Sequence, residues 1–251
     1  MGLPNVEGNP FVKPIRILLL VFLGFALVFG SGSPVVAQTN PTIVASIGTS
    51  SGAQGGVAVS GQYLYLAGSG GLHIYAISNP AKPVDVGFTD TNGNAYAVAL
   101  TDKYAYVAYY FNLKVFDISN PTNPIVVGHL DGSWANITIS GHYIYLDVGF
   151  GPFWGVDIYD ASNPTLPVSV NQMNYESYHT LISDHYAYIV SGLLYILDVS
   201  DVRNPIQVSS PWPMARDAAI SDGYAYAACY TNGLTIYNVH DPANPALNIS
   251  L

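Results

Sequence analysis

The chain has 251 residues and a formal net charge of −9, with 9% charged residues against 50% hydrophobic ones. Beyond the N-terminus its cations, Lys82, Lys103, Lys114, Arg203 and Arg216, are scattered and form no patch, which argues against nucleic acid or anionic lipid as a partner. The single cysteine, Cys229, excludes an intramolecular disulfide.

Lys13 and Arg16 precede an apolar run from Ile17 to Phe29, which Gly30, Ser31, Gly32 and Ser33 interrupt. Val35-Val36-Ala37 then supplies small residues for signal-peptidase cleavage. Residues 1–37 are therefore predicted to be a signal peptide, and the mature protein to be extracytoplasmic. An uncleaved anchor would need about 20 continuous apolar residues, more than this run offers. No second long apolar run follows, so no membrane insertion is expected of the mature domain, residues 40–251.

Within that domain a Tyr-x-Tyr pair recurs about every forty residues, at Tyr63/Tyr65, Tyr104/Tyr106, Tyr143/Tyr145, Tyr186/Tyr188 and Tyr224/Tyr226. This period, carried by short alternating apolar segments, predicts a β-propeller. Each unit opens on an apolar strand: Val57–Val59, Val98–Leu100, Ile137–Ile139, Thr180–Ile182 or Ala218–Ile220. A tight turn such as Ser60-Gly61 or Ser183-Asp184 follows, where Gly and Asp suit positive φ or side-chain-to-backbone bonds. The Tyr-x-Tyr strand comes second. Its two-residue alternation puts both rings on one face, and their regularity predicts packing between neighbouring blades.

The third strand runs Leu72-His73-Ile74-Tyr75-Ala76 in the first unit and Val156-Asp157-Ile158-Tyr159-Asp160 in the third. Ser-Asn-Pro-x-x-Pro then leads to a fourth strand, as at Ser78-Asn79-Pro80 with Pro83 and Ser119-Asn120-Pro121 with Pro124, and degrades to Arg203-Asn204-Pro205 in the fourth unit. These pentapeptides resemble the LVIVD repeat of secreted and cell-surface proteins of bacteria and archaea. The resemblance covers residues 40–251 and brings no shared catalytic motif. The expected fold is all-β, a propeller of five four-stranded blades preceded by the signal peptide. A sixth fourth-strand phrase, Ile43–Ile47, leaves two arrangements open. It closes the last blade, or the chain is part of a six-bladed wheel and self-associates through an unpaired edge.

Asp117, Asp160 and Asp198 each stand two residues before a turn and are expected to accept backbone N–H bonds rather than hold a metal. Ala76 and Asn238 replace them in the other units, and no spaced His pair or calcium loop is present. No nucleophile elbow, phosphate loop or dinucleotide fingerprint is found, so no cofactor and no catalytic residue is assigned.

In a propeller the loops entering the first strands share a face with the loops joining second and third strands. Scaffold positions repeat from unit to unit, so residues on that face that differ between units are free to specialise. This singles out Asn136, Tyr178, His179, Arg216, Asp217 and Tyr96 before the first strands, and Tyr110, Phe153 and Trp154 in the second loop set, with Trp212 nearby. Aromatic platforms with a few polar groups suit a sugar or peptide ligand. The expected function is a binding module for an extracellular protein or glycan. The alternatives are a hydrolase or lyase using His179, Asp217 and Arg216, or a purely structural surface-layer repeat.

Overall fold

The computed structural model describes residues 55–90, 93–148, 154–209, 212–213, 215–229 and 233–250. The predicted signal peptide and the Ile43–Ile47 phrase lie outside the described residues.

Five antiparallel sheets follow one another along the chain. Blade one holds β1 (Val57–Ser60), β2 (Tyr63–Gly68), β3 (Gly71–Ala76) and β4 (Val84–Asp90). Blade two holds β5 (Ala95–Leu100), β6 (Tyr104–Tyr109), β7 (Asn112–Asp117) and β8 (Ile125–Asp131). Blade three holds β9 (Asn136–Ser140), β10 (Tyr143–Val148), β11 (Gly155–Asp160) and β12 (Val168–Met173). Blade four has β13 (His179–Ser183), β14 (Tyr186–Val190) and β15 (Leu193–Asp198), then a split fourth strand, β16 (Ile206–Gln207) and β17 (Trp212–Pro213), both paired to β15. Blade five holds β18 (Ala215–Ser221), β19 (Tyr224–Cys229), β20 (Gly233–Asn238) and β21 (Ala246–Ser250). The first-to-second turns behave as predicted, with φ of 57° at Gly61, 53° at Asp184 and 50° at Asp222.

The tyrosine pairs are the joints between blades. Tyr65 packs with Ala105, Val107 and Phe116 of blade two, and Tyr106 with Ile144 and Leu146 of blade three. Tyr145 meets Ala187 and Ile189, and Tyr188 meets Ala225 and Ala227. These four rings are 2–3% exposed. Burial, with a smaller contribution from a neighbouring ionisable group, pushes the phenols of Tyr106, Tyr145 and Tyr188 up to about 12. The fifth copy departs from this pattern. Tyr226 is 36% exposed and Leu234, at the place of fully buried Leu72 and Leu113, is 40% exposed. No comparable packing joins blade five to blade one among the described residues.

The proline turns dock each blade onto its predecessor. A Cβ at Gly87 would stand 2.2 Å from the Pro121 carbonyl oxygen, and one at Gly128 would stand 2.8 Å from that of Pro164. At the same register place in blade three, Asn171 Nδ2 donates to the Val202 carbonyl at 3.2 Å. Asp117, Asp160 and Asp198 accept the backbone N–H of Ser119, Ser162 and Ser200, each at 2.8 Å. For Asp117 and Asp198 the backbone bond leads, and for Asp160 the Ser162 hydroxyl, in holding the carboxyl below its ordinary value. Asn238 takes the N–H of His240 in the same way at 3.0 Å. The fourth turn corrects the sequence alignment. Asp201, not Asn204, occupies the asparagine position and accepts from Arg203 N at 3.0 Å, while Val202 replaces the first proline and is buried.

Candidate functional site

In each blade the start of the first strand lies beside the end of the second. Val57 pairs with Leu66, Ala95 with Tyr109, His179 with Val190 and Ala215 with Cys229. Entry segments and second-to-third loops therefore meet on one face, as the repeat register predicts. Two of the first strands carry a register shift at this end, between Ala95 and Ala97 and between Ala215 and Asp217. Such a bulge leaves one residue out of the ladder and re-aims its side chain. The residues so released are Tyr96 and Arg216.

Blades four and five assemble a polar cluster here. The His179 imidazole and the Asp217 carboxylate meet at 2.9 Å through Nδ1 and Oδ1, with side chains 33% and 67% exposed. Asp217 also accepts its neighbour Ala218 N–H at 2.9 Å, which fixes the carboxylate from its own strand. Tyr178 precedes His179, and the Arg216 guanidinium lies 5.6 Å from the centre of its ring. A cation over a ring face is held by the ring quadrupole, which draws Arg216 and Tyr178 together across the blade boundary. Four predicted residues are thus brought together.

Asn136 does different work. Its Nδ2 donates to Asp147 at 3.2 Å, and Asp147 also accepts Thr180 N at 3.0 Å and the Thr180 hydroxyl at 2.5 Å. Asp147 is fully buried and clasps blade three to blade four. Sequence reasoning missed it, although an aspartate stands where Ala67 and Ala108 fill the second strand elsewhere. That break in an apolar position was the available signal.

On blade two, the Tyr96 and Tyr110 rings lie 6.4 Å apart at a tilt of 54°, and Phe111 meets Tyr110 edge-on at 4.5 Å. They line a cavity of about 270 Å³ with Asn94, Asn112 and Lys114. Trp154 stands just before β11, 47% exposed, and engages no other described ring. Phe153 lies outside the described residues, and of Trp212 only the backbone, paired with Leu194, is described. Other rings of this face belong to the scaffold. Tyr109 and Trp134 are buried, and Trp134 Nε1 donates to Asp157 at 2.7 Å. Tyr175 donates to Gln207 at 2.9 Å.

The described residues contain no group of three His, Cys, Asp or Glu placed to hold a metal, and no helix long and apolar enough to cross a membrane. The sequence profile of the LVIVD repeat matches residues 51–91, 92–132, 131–174, 179–210 and 214–251. The chain belongs to the LVIVD repeat family. No curated protein matches it. Among solved structures, the computationally designed Ika8 protein aligns with a TM-score of 0.61 at 10% identity, over 81% of this chain and 63% of that one. The periplasmic gluconolactonase of Pseudomonas aeruginosa aligns with a TM-score of 0.63 at 11% identity, over 78% and 68%. BamB from Moraxella catarrhalis aligns with 0.55 at 15% identity, over 75% and 58%. The LVIVD chain thus spans less than two thirds of the Ika8 and BamB chains. At these identities the likeness concerns the fold alone.

Proposed function

We propose that this LVIVD-repeat propeller is an extracytoplasmic binding module that holds a glycan or peptide on the face formed by its entry segments and second-to-third loops. The observation that carries this reading is the convergence of Tyr178, His179, Arg216 and Asp217 from two adjoining blades. None of the four residues is buried in a blade core. Asp147, by contrast, is fully buried and spent on the blade boundary, whereas this cluster opens to solvent, as a ligand site requires. Exposed Tyr110 and Trp154 add flat apolar area on the same face. The rigid wheel holds these groups in place before a ligand arrives, which lowers the ordering cost of binding.

Glycan and peptide arrays probed with the folded chain and with His179→Ala and Trp154→Ala test this. Hits that weaken in the variants support the reading. Arrays with no hit, or hits unaffected by either substitution, sink it and favour a structural surface-layer role.

The His179–Asp217 contact favours one alternative, an acid–base hydrolase or lyase. A carboxylate on Nδ1 orients the ring and leaves Nε2 to exchange a proton with a substrate, and Arg216 would offset developing negative charge. Turnover of an ester, lactone or uronate-polymer panel that disappears in His179→Ala would establish it; no turnover of any panel member would remove it.

A further inference from the structure

We infer that the cavity on blade two is a subsite for a single acidic sugar unit, a uronate ring bound through its carboxylate. This rests on the reading of the loop face as glycan-binding and adds the chemical class. The Lys114 ammonium stands 5.2 Å from the centre of the Tyr109 ring. It forms no ion pair among the described residues, where His179–Asp217 is the one pair within reach. Asp131 lies opposite Asn112 in the register but is not paired with Lys114. An ammonium held beside aromatic rings in a half-enclosed site, and left without a carboxylate, favours an anionic group from a ligand.

Two further features suit a sugar ring carrying that carboxylate. The Asn112 side-chain oxygen is buried and accepts no hydrogen bond from a described residue. A buried acceptor without a donor is destabilising, and a ligand hydroxyl would relieve it. Tyr110 and Phe111 present ring surface at the rim, with Phe111 74% exposed, and such surface suits the C–H face of a pyranose. The volume, about 270 Å³, lies just under the range of drug-sized pockets, so one ring fits and an oligosaccharide would extend along the face.

Lys114 occupies a third-strand place where His73, Asp157, Tyr195 and Thr235 stand in the other blades, so the scaffold accepts diverse side chains there. Lys114→Met is therefore a usable probe. Titration calorimetry of the folded chain with glucuronate, galacturonate, glucose and an N-acetyl amino acid tests the subsite, with Lys114→Met and Phe111→Ala as variants. The uronates are expected to bind at least tenfold more tightly than glucose. Lys114→Met should abolish that preference, and Phe111→Ala should weaken acidic and neutral sugars alike. Glucose binding as tightly as the uronates overturns this inference alone, as does tighter binding of the N-acetyl amino acid. Uronate binding that His179→Ala abolishes and Lys114→Met leaves intact also sinks the subsite, while keeping the face as a glycan site. No sugar bound by any variant, with negative arrays, removes both readings.

Discussion

His179 on blade four and Asp217 on blade five meet at 2.9 Å across a blade boundary, on the face where the entry segments converge. The two lie in different repeats and come together because each opens the first strand of its own blade. Exposed ion pairs contribute little to stability, about 0–1 kcal/mol. His179→Ala and Asp217→Asn should therefore shift the urea midpoint only slightly. Both should weaken the array ligand. A loss of several kcal/mol with intact binding would assign the pair to the scaffold.

Asp147 predicts the opposite. Its fully buried carboxylate accepts Thr180 N and the Thr180 hydroxyl across the boundary of blades three and four. Asp147→Ala strands those donors and should cost roughly 2–4 kcal/mol, with Asp147→Asn less damaging because its amide oxygen can still accept. Equilibrium urea unfolding measures both. An alanine variant as stable as the parent would show that the clasp is dispensable.

Trp154, exposed and outside every described core cluster, should tolerate alanine within about 1 kcal/mol. The same change should reduce ligand binding on the loop face. Thermal unfolding followed by circular dichroism checks the first part, and a marked drop in melting temperature would place the indole in the core.

The buried phenols set an alkaline limit. Tyr106, Tyr145 and Tyr188 are raised from 10.0 to about 12, chiefly by burial, so the folded state resists losing these protons. Their stabilising contribution is complete below the ordinary tyrosine value and disappears as pH rises through the folded value. Stability should thus fall between about pH 10 and pH 12. Tyrosinate absorbance and far-ultraviolet circular dichroism should then change together. Full titration of every tyrosine with the sheet signal unchanged would contradict this.

Blade five predicts self-association. Tyr226 and Leu234 are exposed where their counterparts in the other blades are buried. Ile249, opposite Ile236, takes the register place of Gly87 and Gly128, the glycines that let the next proline turn approach. That face is apolar and uncovered by any described blade, a setting that favours association. Light scattering should report concentration-dependent oligomers that Tyr226→Ser with Leu234→Ser suppresses. A monomer at all concentrations would end the idea.

The blade scaffold was legible because each strand states its own requirement locally. Tyr63 and Tyr65 share a face by alternation alone, and Gly61 marks a turn that needs positive φ. Asp117, Asp160 and Asp198 could be read as turn acceptors because Asn238 does the same job without a charge. The fourth turn was misread because Asn204-Pro205 imitates the motif. The hydrogen bond from Arg203 N to Asp201 identifies the true register.

The site was legible only as positions. The repeat register placed Tyr178, His179, Arg216 and Asp217 on one face, and it did so for Asn136 too. It could not distinguish the exposed cluster from the clasp around Asp147. The sequence by itself determined the repeat, the strand order and the face, because periodicity and turn chemistry act between residues a few positions apart. Which side chains meet across a blade boundary, and that Tyr226 of the fifth pair lies exposed, was decided by tertiary structure. Those contacts join residues about forty positions apart, and they depend on what the neighbouring blade presents.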